Sequence, residues 1–449
     1  MERKLIAGAL VIPSDGRTPP MRNGWVLVDG GRIAALGDGA PPEGDDLHRI
    51  DASSMAVLPG LVDAHTHLGP TGLFRGFAED LTHEAFLGLV SPILDHAVDT
   101  DDMHAAARLG ALECLKGGTT ATSELGLAME PVARAIEEVG LRCALGPDIS
   151  DITSLSDYVT GGASFDAALG ERALAAASDV FDRWHGAANG RLTVRLANFS
   201  ALTCSPELLR RTRALADEKH TGIDIHVLTS PDAVERGRAL FGKDTMVALA
   251  ELGYLGPDVS LVHLLHPTAA DIAAVAASGA VMVQCPMAYA KAGQVSPLKS
   301  IRDAGVPIAV GSDWLTMDMW QQMRCAMMLA RIEAGDSPVV DARTVLEMAT
   351  IGAARALGLE SEIGSLEPGK KADLILVDLD QPHFAPLGAA WDPVKTLVHN
   401  ATGRDIRMVM VDGRIVVSDG RATTVDEAEV IATATRHGEA VMARAGAAQ

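Results

Sequence analysis

Positive charge is scarce for a chain of this size. The 449 residues carry 38 Lys and Arg against 59 Asp and Glu, a formal net charge of −21. Such a surface repels phosphate backbones, so no nucleic-acid partner is expected, although a single nucleobase as substrate is compatible with it. Cysteine is also sparse. Cys114, Cys143, Cys204, Cys285 and Cys325 are scattered, odd in number and without C-x-x-C spacing. This argues against a disulfide framework or a thiolate zinc site, and for small buried hydrophobes in a reducing compartment. No apolar stretch reaches the roughly 18 residues of a membrane span, so no membrane partner is expected. The apolar run from Leu5 to Ile12 ends at Pro13-Ser14-Asp15-Gly16 without a small-residue cleavage site, and reads as a strand and turn rather than a signal peptide. With no targeting signal, the expected location is cytoplasmic. Nucleotide signatures are missing as well. No G-x-G-x-x-G follows the first strand, and Gly117-Gly118-Thr119-Thr120 lacks the lysine and spacing of a phosphate loop.

What is present describes a globular protein with a large core: hydrophobic residues make up 48% and charged residues 22%. Residues 1 to about 57 read as β-rich. Trp25 to Val28 and Arg32 to Leu36 flank Asp29-Gly30, a hairpin signal. The other end repeats the pattern, with Met408 to Val411, then Asp412-Gly413, then Arg414 to Val417; Asp373 to Val377 supplies another strand. Two alike β segments at opposite ends predict one small β-sandwich domain built from both, over 1–57 and 365–425. Between them, candidate strands at 58–62, 119–123, 143–145, 192–197, 222–226, 259–263, 280–284 and 306–311 alternate with alanine-rich helical stretches. Eight such units predict an α/β fold, a (β/α)8 TIM-like barrel over 58–364, with a doubly wound open sheet as runner-up. Residues 426–449 read as a surface helix and tail.

The chemistry-bearing residues gather at strand ends. In Leu58-Pro-Gly-Leu-Val-Asp-Ala-His65-Thr-His67, the two histidines are two apart and project to one side of a strand. Barrel active sites sit at that C-terminal mouth, and paired neutral imidazoles are half of a borderline-metal site. His226 ends the strand from Gly222, and His263 ends the strand from Val259. Asp313 closes the strand from Val306, beside the first strand if the barrel closes, although an acid there also suits a helix cap.

These segments, with Leu73-Phe74-Arg75-Gly76, Gly117-Gly118-Thr119-Thr120, His263-Leu264-Leu265-His266, Gly311-Ser312-Asp313 and Ile363-Gly-Ser-Leu-Glu-Pro-Gly-Lys-Lys-Ala-Asp-Leu374, resemble the amidohydrolase superfamily, in its branch of triazine hydrolases and cytosine-deaminase-like enzymes. The resemblance runs from about Ile50 to Gly420. It implies one divalent metal held by His65, His67, His226 and Asp313. Relatives with two metals place a carboxylated lysine at the end of strand four; here that segment, 192–199, has none, which implies a mononuclear site. Zinc is the default and iron the alternative. A bound divalent metal can bring the pKa of a water from 15.7 to about 7. Asp313 would then move the proton and His263 would orient the water or polarise the substrate.

One departure bears on the reaction. Deaminases of this branch carry His-x-x-Glu-Thr at the fifth strand; this chain has His226-Val-Leu-Thr229-Ser. Thr229 cannot protonate a ring nitrogen as a carboxylic acid can. That favours an amide, urea or carbamate-like C–N bond. The alternative is deamination or dechlorination of a purine, pyrimidine, pterin or s-triazine, with His266 or Glu124 as substitute acid. A non-catalytic barrel acting as an interaction module is the remote reading. Arg75, Thr229, His266, Trp314 and Glu124 are candidate substrate contacts for a small molecule. Glu79 and Asp80 fall in a loop expected over the site, and Lys291 reads as solvated. Met317, Met319, Met323, Met327 and Met328 read as core or subunit contact, and relatives imply a homo-oligomer. Asp99, Asp101 and Asp102 read as a solvated helix start.

Overall fold

The computed structural model describes residues 3–126, 128–160, 164–314, 316–336 and 339–446. The chain opens with β1 (Arg3–Val11), β2 (Met21–Asp29), β3 (Arg32–Asp38), β4 (Leu47–Asp51) and β5 (Met55–Pro59). Nine short parallel strands follow: β6 (Leu61–Thr66), β7 (Thr119–Gly126), β8 (Arg142–Pro147), β9 (Leu192–Val194), β10 (Leu196–Ser200), β11 (Ile223–Val227), β12 (Val259–His263), β13 (Val281–Gln284) and β14 (Ile308–Val310). The end of the chain adds β15 (Leu374–Asp378), β16 (Ile406–Val411), β17 (Arg414–Ser418) and β18 (Arg421–Ala422).

The first and last groups form one connected sheet, in the order β18-β17-β16-β15-β5-β1-β2-β3 with β4 also on β1. Antiparallel pairing of β5 with β15 joins the two chain ends. Both expected hairpins are present, but the first turn is Gly30-Gly31 rather than Asp29-Gly30, because Asp29 pairs with Arg32. The two turns pack against each other: a Cβ on Gly413 would lie 2.3 Å from the Gly30 carbonyl oxygen, so only glycine fits.

The parallel strands form two sheets, β6-β7-β8-β9 and β10-β11-β12-β13-β14, flanked by helices. Single parallel bridges connect the sheets at both edges, Thr66 to Asp313 and Asp148 to Ala197. The strands are buried nearly throughout, as parallel strands covered by helices must be. Helix starts follow their caps; the Ser205 hydroxyl accepts from Leu208 N–H ahead of Pro206, and Thr268 and Asp271 form a capping box. Met317, Met319, Met323 and Met327 lie in the core, whereas Met328 is exposed.

Three expectations need correction. The 58–62 run is not one strand: β5 ends at Pro59 in the small sheet and β6 starts at Leu61. Gly60 makes the crossing, and a Cβ there would meet the Thr120 side chain at 2.0 Å. The fourth parallel strand breaks at Arg195, whose buried guanidinium turns to Asp224 at 3.1 Å and to the Asp258 carbonyl at 3.0 Å. Asp102 is not solvated: it is buried under the last helix, Glu427–Arg444, and takes hydrogen bonds from His437 at 2.7 Å and from Arg444. That helix lies within 426–449, of which 447–449 lie outside the described residues. Within 365–425, helix Pro393–Asn400 packs on helices Met319–Ala334 and Ala342–Met348 rather than on the small sheet.

Candidate active site

His65 and His67 project together from β6, and His226 meets them from β11. The His65 Nε2 lies 3.2 Å from His67 Nε2 and 3.0 Å from His226 Nε2. Backbone carbonyls fix two of the rings. His67 Nδ1 donates to Leu125 O at 2.8 Å and His226 Nδ1 donates to Phe199 O, which leaves both Nε2 lone pairs turned to the common centre. Burial pushes the imidazoles toward neutrality, His67 down to about 4 and His226 to about 3, with His65 and His263 well below the usual value. Neutral rings are the ligating form.

Asp313 completes the cluster from the end of β14. Its Oδ1 lies 3.5 Å from His67 Nε2 and 3.8 Å from His65 Nε2, is buried, and has no hydrogen-bond partner among the described residues. Burial, reinforced by Asp63, raises its carboxyl to about 8. A polar atom orphaned beside three converging nitrogens is the donor set a divalent cation satisfies, so the residues fit one metal. His263 stands one strand further round, with Nε2 3.9 Å from Asp313 Oδ2 and its ring 4.5 Å from that of Tyr289. Backbone strain gathers here: Leu228, His263, Leu264 and Asp313 all have positive φ, at 53°, 82°, 46° and 63°.

A cavity of about 840 Å³ opens beside His67. Glu124 from β7, Asp148 after β8, Phe199 from β10 and Trp314 line it, among apolar residues such as Leu87, Val90 and Met129. The Trp314 ring lies 4.7 Å from His67 and meets Phe86 edge-on at 4.6 Å. Glu124 Oε2 accepts from Thr66 Oγ1 and from Leu68 N–H, each at 2.8 Å. Burial raises the Glu124 carboxyl to about 8, so it is a neutral acid at pH 7. A smaller space of about 50 Å³, lined by Asp80, His83, Tyr289, Lys291 and Trp314, reaches Asp313 from the other side.

The structure thus brings together His65, His67, His226, His263 and Asp313, with Glu124 and Trp314 at the cavity. Other expected contacts fall elsewhere. Arg75 is exposed and pairs with Glu113 at 2.5 Å, because the first-strand loop turns into helix Leu68–Phe74 and carries it outward. His266 is half-buried and bonds Gln294 at 2.8 Å. Thr229 is buried just ahead of Ser230, which caps helix Pro231–Phe241. Lys291 is exposed but borders the small space near Asp313. Sequence reasoning missed Asp63, whose Oδ1 accepts from Ser312 N–H at 2.8 Å and braces β6 to the Asp313 loop. It also missed Asp148, Tyr289 and Cys285, the last grouped with His263 and Asp313. Asp148 carried a readable signal, an acid just past a parallel strand, as Asp313 is.

A family model described as the amidohydrolase family matches residues 56–416. A 5-methylthioadenosine/S-adenosylhomocysteine deaminase from Symbiobacterium thermophilum is 37% identical over 441 residues, covering 96% of this chain and 97% of the relative. A 5'-deoxyadenosine deaminase from Methanosarcina acetivorans is 30% identical, covering 99% of each. Among solved structures, an adenosine deaminase from Xanthomonas campestris with bound zinc superposes with a TM-score of 0.88 at 28% identity, covering 98% of each chain. An atrazine chlorohydrolase from Arthrobacter aurescens complexed with zinc shares the fold, with a TM-score of 0.87 at 22% identity, covering 97% of this chain and 100% of that one. The protein is a metal-dependent hydrolase of C–N bonds other than peptide bonds, on a barrel-like α/β fold, and the chain belongs to the amidohydrolase family.

Proposed function

We propose that the chain removes an exocyclic amino group, as ammonia, from a flat nitrogen heterocycle of nucleoside-like size. The observation that carries this reading is Glu124, a neutral carboxylic acid on the wall of a large, mainly apolar cavity that begins at the metal cluster. Thr229 leaves the family's usual acid position empty, and Glu124 is the group that can protonate a ring nitrogen in its place. Trp314 offers a face for stacking a planar ring. The relatives that are deaminases of adenine nucleosides favour this arm over amide or urea cleavage.

His65, His67, His226 and Asp313 would hold one divalent metal, with zinc favoured by the neighbours crystallised with it. When bound, such an ion supplies Lewis-acid activation of water near neutral pH. Asp313 holds the proton taken from the water and passes it to the departing amine. His263 orients the oxygen through Nε2, and the Tyr289 ring braces it in an edge contact at 4.5 Å. The apolar walls keep bulk water from the reacting carbon.

The test is a turnover panel. Ammonia release from 5'-deoxyadenosine, adenosine, cytosine and amino-triazines is measured beside hydrolysis of amides and ureas. Ammonia from one of the ring amines, reduced about 100-fold or more by Glu124→Gln with metal retained, is the expected result. Turnover of amides or ureas alone supports the second reading, which Thr229 favours.

The finer architecture belongs to the same proposal. We take the parallel strands as one closed eight-unit barrel over 58–364, supported by the two bridging contacts. The chain ends over 1–57 and 365–425 then form a composite β-sandwich domain, supported by the forked pairing of β1 with β2, β4 and β5. A homo-oligomer is favoured by Ile332 and Met328, 75% and 46% exposed on helix Met319–Ala334. Light scattering tests that. Five free cysteines suit a cytoplasmic setting, and among the described residues no helix is long and apolar enough to cross a membrane.

A further inference from the structure

We propose that Asp148, together with Ser150, forms a subsite that binds the hydroxyl groups of the substrate's sugar-like end, away from the reacting amine. This rests on the deaminase reading above and adds which part of the substrate the far wall recognises.

Asp148 follows β8 directly and lines the same cavity as His67 and Glu124. Its Oδ1 is held by Phe199 N–H at 3.0 Å and by Ser150 Oγ at 3.1 Å. Ser150 Oγ lies 3.3 Å from Thr203 Oγ1, so two hydroxyls flank the carboxyl. The Phe199 and Ser150 bonds both fall on Oδ1, and the Ile149 peptide N–H also favours the charged carboxyl. Among the described residues no Lys, Arg or His forms an ion pair with Asp148; the cation lining this cavity, Arg172, is exposed. A half-buried carboxyl without a cation gains from donors that a ligand brings. Desolvation raises it to about 6, although the Ser150, Phe199 and Ile149 donors pull the other way.

Position sets the chemistry of the ligand. Glu124 is on the second parallel strand and Asp148 past the third, so Asp148 stands two strand spacings from β6, roughly 10 Å. That distance passes beyond a bicyclic ring held at the metal and reaches its substituent. A carboxylate with a neighbouring hydroxyl oxygen suits a vicinal diol, whose two O–H donors go to Oδ2 and to Ser150 Oγ. The apolar residues between, Phe199 and Ile152 among them, leave space for an uncharged extension rather than an anionic one.

The same contacts admit an alternative role. The Phe199 peptide N–H bonds Asp148 while its carbonyl takes the His226 Nδ1 proton, so Asp148 could act only by positioning His226. The experiment separates the two. Equilibrium binding of 5'-deoxyadenosine and of its 2',3'-dideoxy counterpart is measured by calorimetry on the metal-loaded wild type, Asp148→Asn and Ser150→Ala, with metal content and turnover alongside. The subsite predicts that wild type prefers the diol, and that Asp148→Asn weakens the diol compound about 10-fold or more while the dideoxy compound changes little. KM follows Kd, and metal content stays at the wild-type level. Equal weakening of both compounds with lost metal overturns the subsite in favour of positioning. Equal wild-type affinity for both compounds, or binding of neither, overturns it outright. Binding of the diol compound without ammonia release defeats the deaminase reading but leaves the subsite standing.

Discussion

Glu124 receives two hydrogen bonds on one oxygen, and neither comes from a cation. Burial outweighs these two bonds, which pull the other way, and keeps its carboxyl protonated where an exposed glutamate is ionised. The folded pKa of about 8 lies above the ordinary 4.5, so its contribution to stability is complete below pH 4.5 and is lost as pH rises through 8. In the metal-stripped protein, Glu124→Gln should remove up to about 1.4 kcal/mol per pH unit of that fall between roughly pH 5 and pH 8. Urea midpoints across that range check it, and an unchanged slope contradicts it. At this scale the clustered residues were legible, because His65, His67, His226 and Asp313 each sit at a strand end that apolar runs announce. Asp63 and Tyr289 were not. Their roles depend on which strands become neighbours, and a single buried acid or phenol carries no spacing signature. Arg75 misled because its loop turns into a helix that faces it outward.

Strands deliver these side chains, and their spacing is set by glycines. A Cβ on Gly311 would lie 2.9 Å from His65 N and 3.0 Å from His65 O, backbone atoms that cannot give way. Gly311→Ala should push β14 from β6 and carry Asp313 off the histidines, lowering metal affinity about 10-fold or more. Titration with zinc under a competing chelator measures this; wild-type affinity would contradict it. Strand positions were readable from apolar runs bounded by turn residues, and the 259–263 strand agrees to the residue. Two breaks were not. Gly60 lies inside one apolar run, yet the chain changes sheets there. Arg195 interrupts a strand because Asp224 and the carbonyls around it come from sequence 28 to 63 residues away.

The two parts of the molecule are held by buried charge as well as by β-pairing. Arg142 at the start of β8 clasps Asp373 ahead of β15 in a two-pronged pair at 2.7 and 3.0 Å, and Asp373 also takes the Asp412 N–H at 2.7 Å. Asp373→Ala leaves the buried guanidinium uncompensated and should cost about 3–5 kcal/mol, read as a lower urea midpoint. A wild-type midpoint would show that the sheet pairing alone suffices. The sheet shared by both chain ends could be anticipated because both repeat an apolar–turn–apolar pattern. The final helix docking on Asp102 could not, since an acid in a first helical turn reads equally well as a dipole partner. The central claim concerns the cluster where the strands converge. It is tested by metal analysis of the purified wild type and His226→Ala, each reconstituted with zinc and assayed for ammonia release from 5'-deoxyadenosine. About one metal per wild-type chain with ammonia release, and loss of both in His226→Ala, is the predicted result. A wild type that holds no metal and releases no ammonia, or a variant that retains both, would contradict it.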